Sequence, residues 1–249
     1  MARTASFFHF LAIIVLWLSP NCSVKEEREQ CPAILKLMLP EGEGGLYIFL
    51  KSPVGLPETH LTQLAQTPSS ASFSISRERF LLSVSSVAFQ DSLFQIPPGQ
   101  ESPELFAYRA YFRVNGEFAT VSPQLRKEFC RLEVTVTTQK LLPALRVRGN
   151  WCGQRIDGAL LEGEFSVGLR SGEAVCIPRQ GDNSLVLDVL SESGELLRSF
   201  ALGEYMAEAG YDWMGASLED ISLHVDYVSS TVTLKGSAWN FTFPIKIEL

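Results

Sequence analysis

The chain has 249 residues and a formal net charge of −7. No basic cluster interleaves with its aromatic residues, which excludes nucleic acid as a partner class. Five cysteines are present (Cys22, Cys31, Cys130, Cys152 and Cys176), but no Cys-x-x-Cys pair, so a zinc site has no basis.

The chain opens with Arg3 and then the apolar run Phe7 to Leu18, in which only His9 is polar. A bilayer-spanning helix needs about 20 apolar residues, so this run fits the core of a signal peptide. Ser19, Pro20, Asn21 and Cys22 follow, then the charged stretch Ser23 to Gln30. This order resembles a bacterial lipoprotein junction, with residues 1–21 removed, Cys22 lipidated and residues 22–31 a tether. Ser19, Pro20 and Asn21 depart from the aliphatic-then-small pattern usual before such a cysteine. An ordinary cleaved signal peptide, with Cys22 a thiol or disulfide partner, is the alternative. Lipidation of Cys22 leaves four cysteines, which permits two disulfides in an oxidising compartment. The remaining 228 or so residues suffice for two modest domains with their own cores.

Ala33 to Leu39 and Leu46 to Leu50 are short apolar runs joined by Glu41-Gly-Glu-Gly-Gly45, which predicts a hairpin. Ser52 to Ser70 reads as a loop. Ser72 to Ser76 alternates as a half-buried strand, and Phe80 to Phe89 is a second strand whose serines predict one exposed face. Phe106 to Val114 and Glu117 to Val121 flank Asn115-Gly116, a strong short hairpin signal. Ser122-Pro123 before Gln124 to Phe129 offers an N-cap and a first-turn proline, predicting a short helix. From Cys130 to Thr137 the even-numbered residues face inward. Leu145 to Arg148 alternates again, and a hairpin centred on Leu141 would set Cys130 opposite Cys152, a possible disulfide.

The last third is the most regular. Glu164 to Leu169, Ala174 to Ile177 and Ser184 to Leu190 are strands; Glu192-Ser-Gly194 is a turn, and Leu196 to Leu202 returns as a partner. Gly203 to Gly210 predicts a turn or two of helix around Tyr205 and Met206. Ile221 to Tyr227 and Val232 to Leu234 alternate. In the terminal run Trp239, Phe241, Phe243, Ile245, Ile247 and Leu249 hold every odd position, a strand of roughly 36 Å. Pro244 lacks an N–H and places that strand at an edge or a bulge. Many short strands with frequent turns predict an all-β chain of sandwiches, divided into domains at 32–160 and 161–249.

Catalytic chemistry finds little support. Only His60 and His224 remain after the leader; His224 faces outward with Ser222 and Asp226. No nucleophile elbow and no His-x-x-x-His occurs, and Asp182-Asn183-Ser184 reads as a turn rather than a calcium loop. No enzyme activity, cofactor, metal or small-molecule substrate is expected.

Two regions together resemble the fimbrillin-associated anchor proteins, lipoprotein subunits of type V pili in Gram-negative bacteria. The first is Cys22 to Pro32. The second runs from Val147-Arg-Gly-Asn150 through Ile177 to Leu187 and Phe200 to Tyr205, then Ala209 to Trp213, Leu218 to Ile221, His224 to Tyr227 and Trp239. The resemblance implies two transthyretin-like Greek-key β-sandwich domains with one or two short helices. It also implies a lipid tether in the outer membrane, exposure at the cell surface and a fimbrillin stalk subunit as partner. Stalk subunits of this kind lose their first strand to a protease that cuts after arginine. Here no arginine lies between Arg28 and Arg77, so the first strand is expected to stay. Strand exchange would fall to Trp239, Phe241, Phe243, Ile245 and Ile247, although completion of the chain's own sandwich is the preferred reading. A surface carbohydrate-binding or host-adhesion lipoprotein, with Trp151 or Trp213 as sugar platform, is the alternative.

Overall fold

The computed structural model describes residues 32–39, 45–52, 59–64, 70–87, 96–97, 99–138, 144–154 and 160–245. The leader, the tether with Cys22 and Cys31, most of the Glu41–Gly45 link, and Ile247 lie outside the described residues.

The first half contains β1 (Ala33–Met38), β2 (Leu46–Lys51), β3 (Thr59–Leu64), β4 (Ser70–Ile75), β5 (Arg79–Ser85), β6 (Phe106–Arg113), β7 (Phe118–Val121) and β8 (Arg126–Lys127). They form a three-stranded sheet, β4-β1-β7, and a five-stranded sheet, β3-β2-β5-β6-β8. One core fills the space between them, led by Leu35 and Leu37 from one sheet and Ile48, Leu50, Phe80 and Leu82 from the other.

Several local expectations fail here for one reason: alternation shows which residues turn inward and not which strand lies alongside. β1 and β2 do not form a hairpin. β1 pairs with β4 and β7, β2 with β3 and β5, and the two face each other across the core. The stretch expected to be a loop contains β3. β6 and β7 likewise belong to different sheets, and neither Asn115 nor Gly116 has the positive φ that a type I′ hairpin turn requires. The helix expected at Gln124 to Phe129 is extended backbone instead. Arg126 pairs with Ala107, and Glu128 N–H donates to Leu105 O at 2.9 Å, so long-range ladders override the capping signal. The serines of β5 are not on an exposed face: Ser83 and Ser85 are buried, Ser83 accepting from Arg109 Nε and Ser85 donating to Val87 O.

The second half contains β9 (Phe129–Thr137), β10 (Ala144–Gln154), β11 (Leu160–Arg170), β12 (Glu173–Pro178), β13 (Val186–Leu190), β14 (Leu196–Phe200), helix α1 (Leu202–Glu208), β15 (Ile221–Asp226), β16 (Thr231–Lys235) and β17 (Asn240–Pro244). The sheets are β11-β10-β13-β14 and β12-β9-β15-β16-β17. Their shared core includes Leu132, Val134, Leu145, Val147, Leu187 and Val225. The even-numbered residues of β9 are buried, as expected, and the turn at Glu192–Gly194 carries its glycine at φ 82°. The helix expected near Tyr205 and Met206 is α1, with both side chains buried.

The hairpin expected between Cys130 and Cys152 is absent. β9 pairs with β12 and β15, while β10 pairs along its whole length with β11, Ala144 opposite Arg170 through Gln154 opposite Leu160. Cys130 therefore lies opposite Ile177, Cys152 lies opposite Glu162, and Cys130, Cys152 and Cys176 are all free thiols. The expected division at 160/161 falls inside β11. The described chain is thus almost entirely β, in sandwich-like layers, with one short helix.

Candidate functional site

Two strands carry the expected function, the first and the last. β1 is the middle strand of its sheet, antiparallel to β4 over Ala33 to Met38 and parallel to β7 over Ile34 to Leu37. Ala33, Leu35 and Leu37 are fully buried. The seat of β1 is therefore bounded by a ladder on each side and an apolar floor below.

β17 is an edge strand. It pairs with β16, Val232 opposite Phe243 and Leu234 opposite Phe241, and its other edge has no partner strand among the described residues. Paired residues share a face, so Phe241 and Phe243 lie on the face of buried Val232 and Leu234. The expectation of a buried odd-numbered row holds only in part: Trp239, Phe243 and Ile245 are partly buried against the core, while Phe241 is 42% exposed. The opposing sheet has four strands and this one five, leaving β17 to overhang. The closing contact comes from α1, whose Tyr205 ring lies 5.7 Å from that of Phe243. Trp239, Phe241 and Phe243 form a continuous row, with ring centroids 5.9 and 6.2 Å apart. Pro244 at the end of this edge strand removes no ladder hydrogen bond from a second neighbour.

Glu219 fixes the entry to β17. Its carboxylate accepts the Trp239 indole N–H at 2.7 Å, the Ser237 backbone N–H at 2.8 Å and the Ser237 hydroxyl. Hydrogen bonds from Ser237 and then Trp239 hold its pKa below the ordinary value. Beneath it, the Tyr211 hydroxyl donates to Glu219 O at 2.7 Å, and burial raises the Tyr211 pKa. Burial also pushes the Cys130 thiol up to about 12.

The residues weighed for other chemistry are scattered. His224 is exposed, with Nε2 2.9 Å from Thr137 Oγ1, and His60 lies on β3. Asp182 Oδ1 accepts the Ser184 N–H at 2.9 Å and Oδ2 accepts from Asn150, a turn as expected. Among the described residues no three His, Cys, Asp or Glu side chains converge as metal ligands. Trp151 and Trp213, the sugar-platform candidates of the alternative reading, are each 7% exposed and belong to the second core. Sequence reasoning also missed Asp188, which is fully buried on β13 and accepts from Arg146 at 2.6 Å, Arg148 at 2.9 Å and Ser199 at 2.6 Å. An aspartate in the middle of the apolar run Leu185 to Leu190 was the available signal.

No protein-family model matches the chain, and no curated protein matches it. Solved structures share its fold. The fimbrial anchor protein Mfa2 from Porphyromonas gingivalis superposes with a TM-score of 0.55 at 11% identity, over 84% of this chain and 99% of that one. A candidate adhesin from Bacteroides thetaiotaomicron gives 0.56 at 11% identity, over 87% and 99%. Candidate polysaccharide-binding proteins from the same organism give 0.60 at 10% identity, over 86% and 98%.

Proposed function

We propose that the chain is a non-enzymatic surface lipoprotein, held in the outer membrane through Cys22, that anchors a pilus and terminates its assembly by strand-mediated contact with a fimbrillin stalk subunit. The observation that carries this reading is the β17 edge: a ladder edge with no partner strand among the described residues, beside a row of aromatic rings, with Phe241 42% exposed. Such an edge can bond a partner's backbone while alternate side chains supply specificity. The seated β1 supports the terminating role, because a strand already in its groove leaves no vacancy for a neighbour's strand. The likeness to Mfa2 agrees with this reading. In it, the two layered halves are transthyretin-like Greek-key domains that divide between Lys127, the last residue of β8, and Phe129, the first of β9.

A photo-crosslinking amino acid at position 241, activated in the intact envelope, tests the proposal. The expected product is one adduct with a β-rich pilus subunit. Adducts only with lipid or glycan, or none, overturn it.

A further inference from the structure

Between the two cores lies a cavity of about 320 Å³, at the small end of the roughly 300–1,000 Å³ that small-ligand sites occupy. One wall is a single face of β6 and β8: Ala107 pairs with both Ser85 and Arg126, and Arg109 with Ser83, so Ala107, Arg109 and Arg126 point the same way. The opposite wall is the end of β10, from Trp151 to Gly153, beside Pro178 and Arg179. Cys152 N–H donates to Arg179 O at 2.9 Å and locks the two segments together. Leu160 and Met214, each 75% exposed, complete the lining with apolar surface that faces water.

The charges in this lining are unevenly matched. Glu128 accepts from Arg179 Nε at 2.7 Å, so those two compensate each other. Arg179 Nη1 also donates to the carbonyls of Trp213 and Gly215, fixing the loop that carries Met214. Arg109 donates to Ser83 Oγ at 3.2 Å. Arg126 is exposed, and its guanidinium has no hydrogen-bond or ion-pair partner among the described residues. In a chain of net charge −7, this lining sets three arginines against one glutamate, alongside the apolar surface of Leu105, Ala107, Trp151, Leu160 and Met214.

We propose that this cavity binds a small amphipathic anion: a carboxylate or sulfonate carried on an aromatic or short aliphatic body. The planar fork of Arg126 matches the acid in bidentate geometry. Leu105, Ala107 and Trp151 take the body. The proposal is independent of strand pairing at β17, and either can fail without the other.

The test is fluorescence titration of the full chain with 8-anilinonaphthalene-1-sulfonate. One saturable site is expected, displaced by naphthalene-2-carboxylate but not by an equal concentration of the neutral 2-naphthol. Arg126→Glu should weaken binding by about tenfold or more, and Arg126→Lys by less, with circular dichroism and thermal unfolding unchanged. Leu160→Ser, at an exposed apolar position, should weaken it too. Wild-type affinity in Arg126→Glu, non-saturable binding, or equal displacement by 2-naphthol each overturn the proposal.

Discussion

The carboxylate of Glu219 accepts the indole N–H of Trp239 at 2.7 Å, and so fixes the first ring of the terminal aromatic row from outside its ladder. With the two bonds from Ser237, it holds the whole turn from β16 into β17. Glu219→Ala should cost about 1–3 kcal/mol, the range for lost hydrogen bonds to a charged acceptor. Hydrogen exchange should rise first at residues 240–244. Exchange that rises equally across β15 and β16 would show that Glu219 supports the sheet generally and does not act as a clamp on its edge.

Asp188 sets an acid limit on stability. Burial works to raise its pKa, but the bonds from Arg148, Ser199 and Arg146 outweigh burial and hold it below the usual carboxylate value. A depressed folded pKa means the stabilisation is complete above the unfolded value of about 3.9 and is lost as pH falls through the folded one. Asp188→Asn should flatten this part of the acid-denaturation curve. Asp188→Ala, which strips the partner from two arginines, should cost about 3 kcal/mol at neutral pH. An acid curve identical in Asp188→Asn and wild type would assign the transition to other carboxylates.

Gly203 is close-packed against backbone. A Cβ there would sit 2.2 Å from Asn183 O and 2.6 Å from its carbonyl carbon. Alanine normally favours a helix over glycine by about 1 kcal/mol, but at this position main chain must move. Gly203→Ala should therefore destabilise the second sandwich, and a stabilised variant in thermal melts would mean that the α1–Asn183 approach is looser than described.

Legibility from sequence followed the physics of each signal. Period-two alternation fixes which residues turn inward, so the buried faces of β9, β15 and β16 were readable. It carries no information about partners, so Glu41–Gly45 and Asn115–Gly116 passed for hairpins when they join strands of different sheets. The exposure of Phe241 was equally hidden, because it depends on five strands facing four rather than on anything in the residues from Trp239 to Ile245. The cavity beside Arg126 needed both halves in place before any of its lining could be related.

The thiols should behave as three separate residues. Cys130 is fully buried, and burial pushes its pKa up to about 12, so at pH 8 it stays a protonated, inaccessible thiol. Alkylation of the native protein should leave Cys130 unmodified, and denaturation without reductant should release Cys130, Cys152 and Cys176 for labelling. A peptide joining Cys130 to Cys152 in non-reducing mass mapping would contradict the β9–β12 and β10–β11 registers.

The terminal strand separates folding from assembly. Deleting residues 239–249 uncovers Val232 and Leu234, now 1% and 0% exposed, and removes the ring packed on Tyr205. Fully burying one large apolar side chain contributes about 1.5–3 kcal/mol. Trp239, Phe243 and Ile245 are only partly buried, so together they supply about 3 kcal/mol, a large share of the roughly 5–15 kcal/mol that holds a domain. The truncated protein should lose cooperative unfolding of its second sandwich. Phe241→Ser should behave differently: with 42% of the side chain already in water, it should shift stability by about 1 kcal/mol or less. If β17 is also the contact edge, this folded variant should still fail to retain its partner in pull-downs from the envelope. A truncation that folds normally would make β17 a donated strand, and full partner retention by Phe241→Ser would move the contact to another edge.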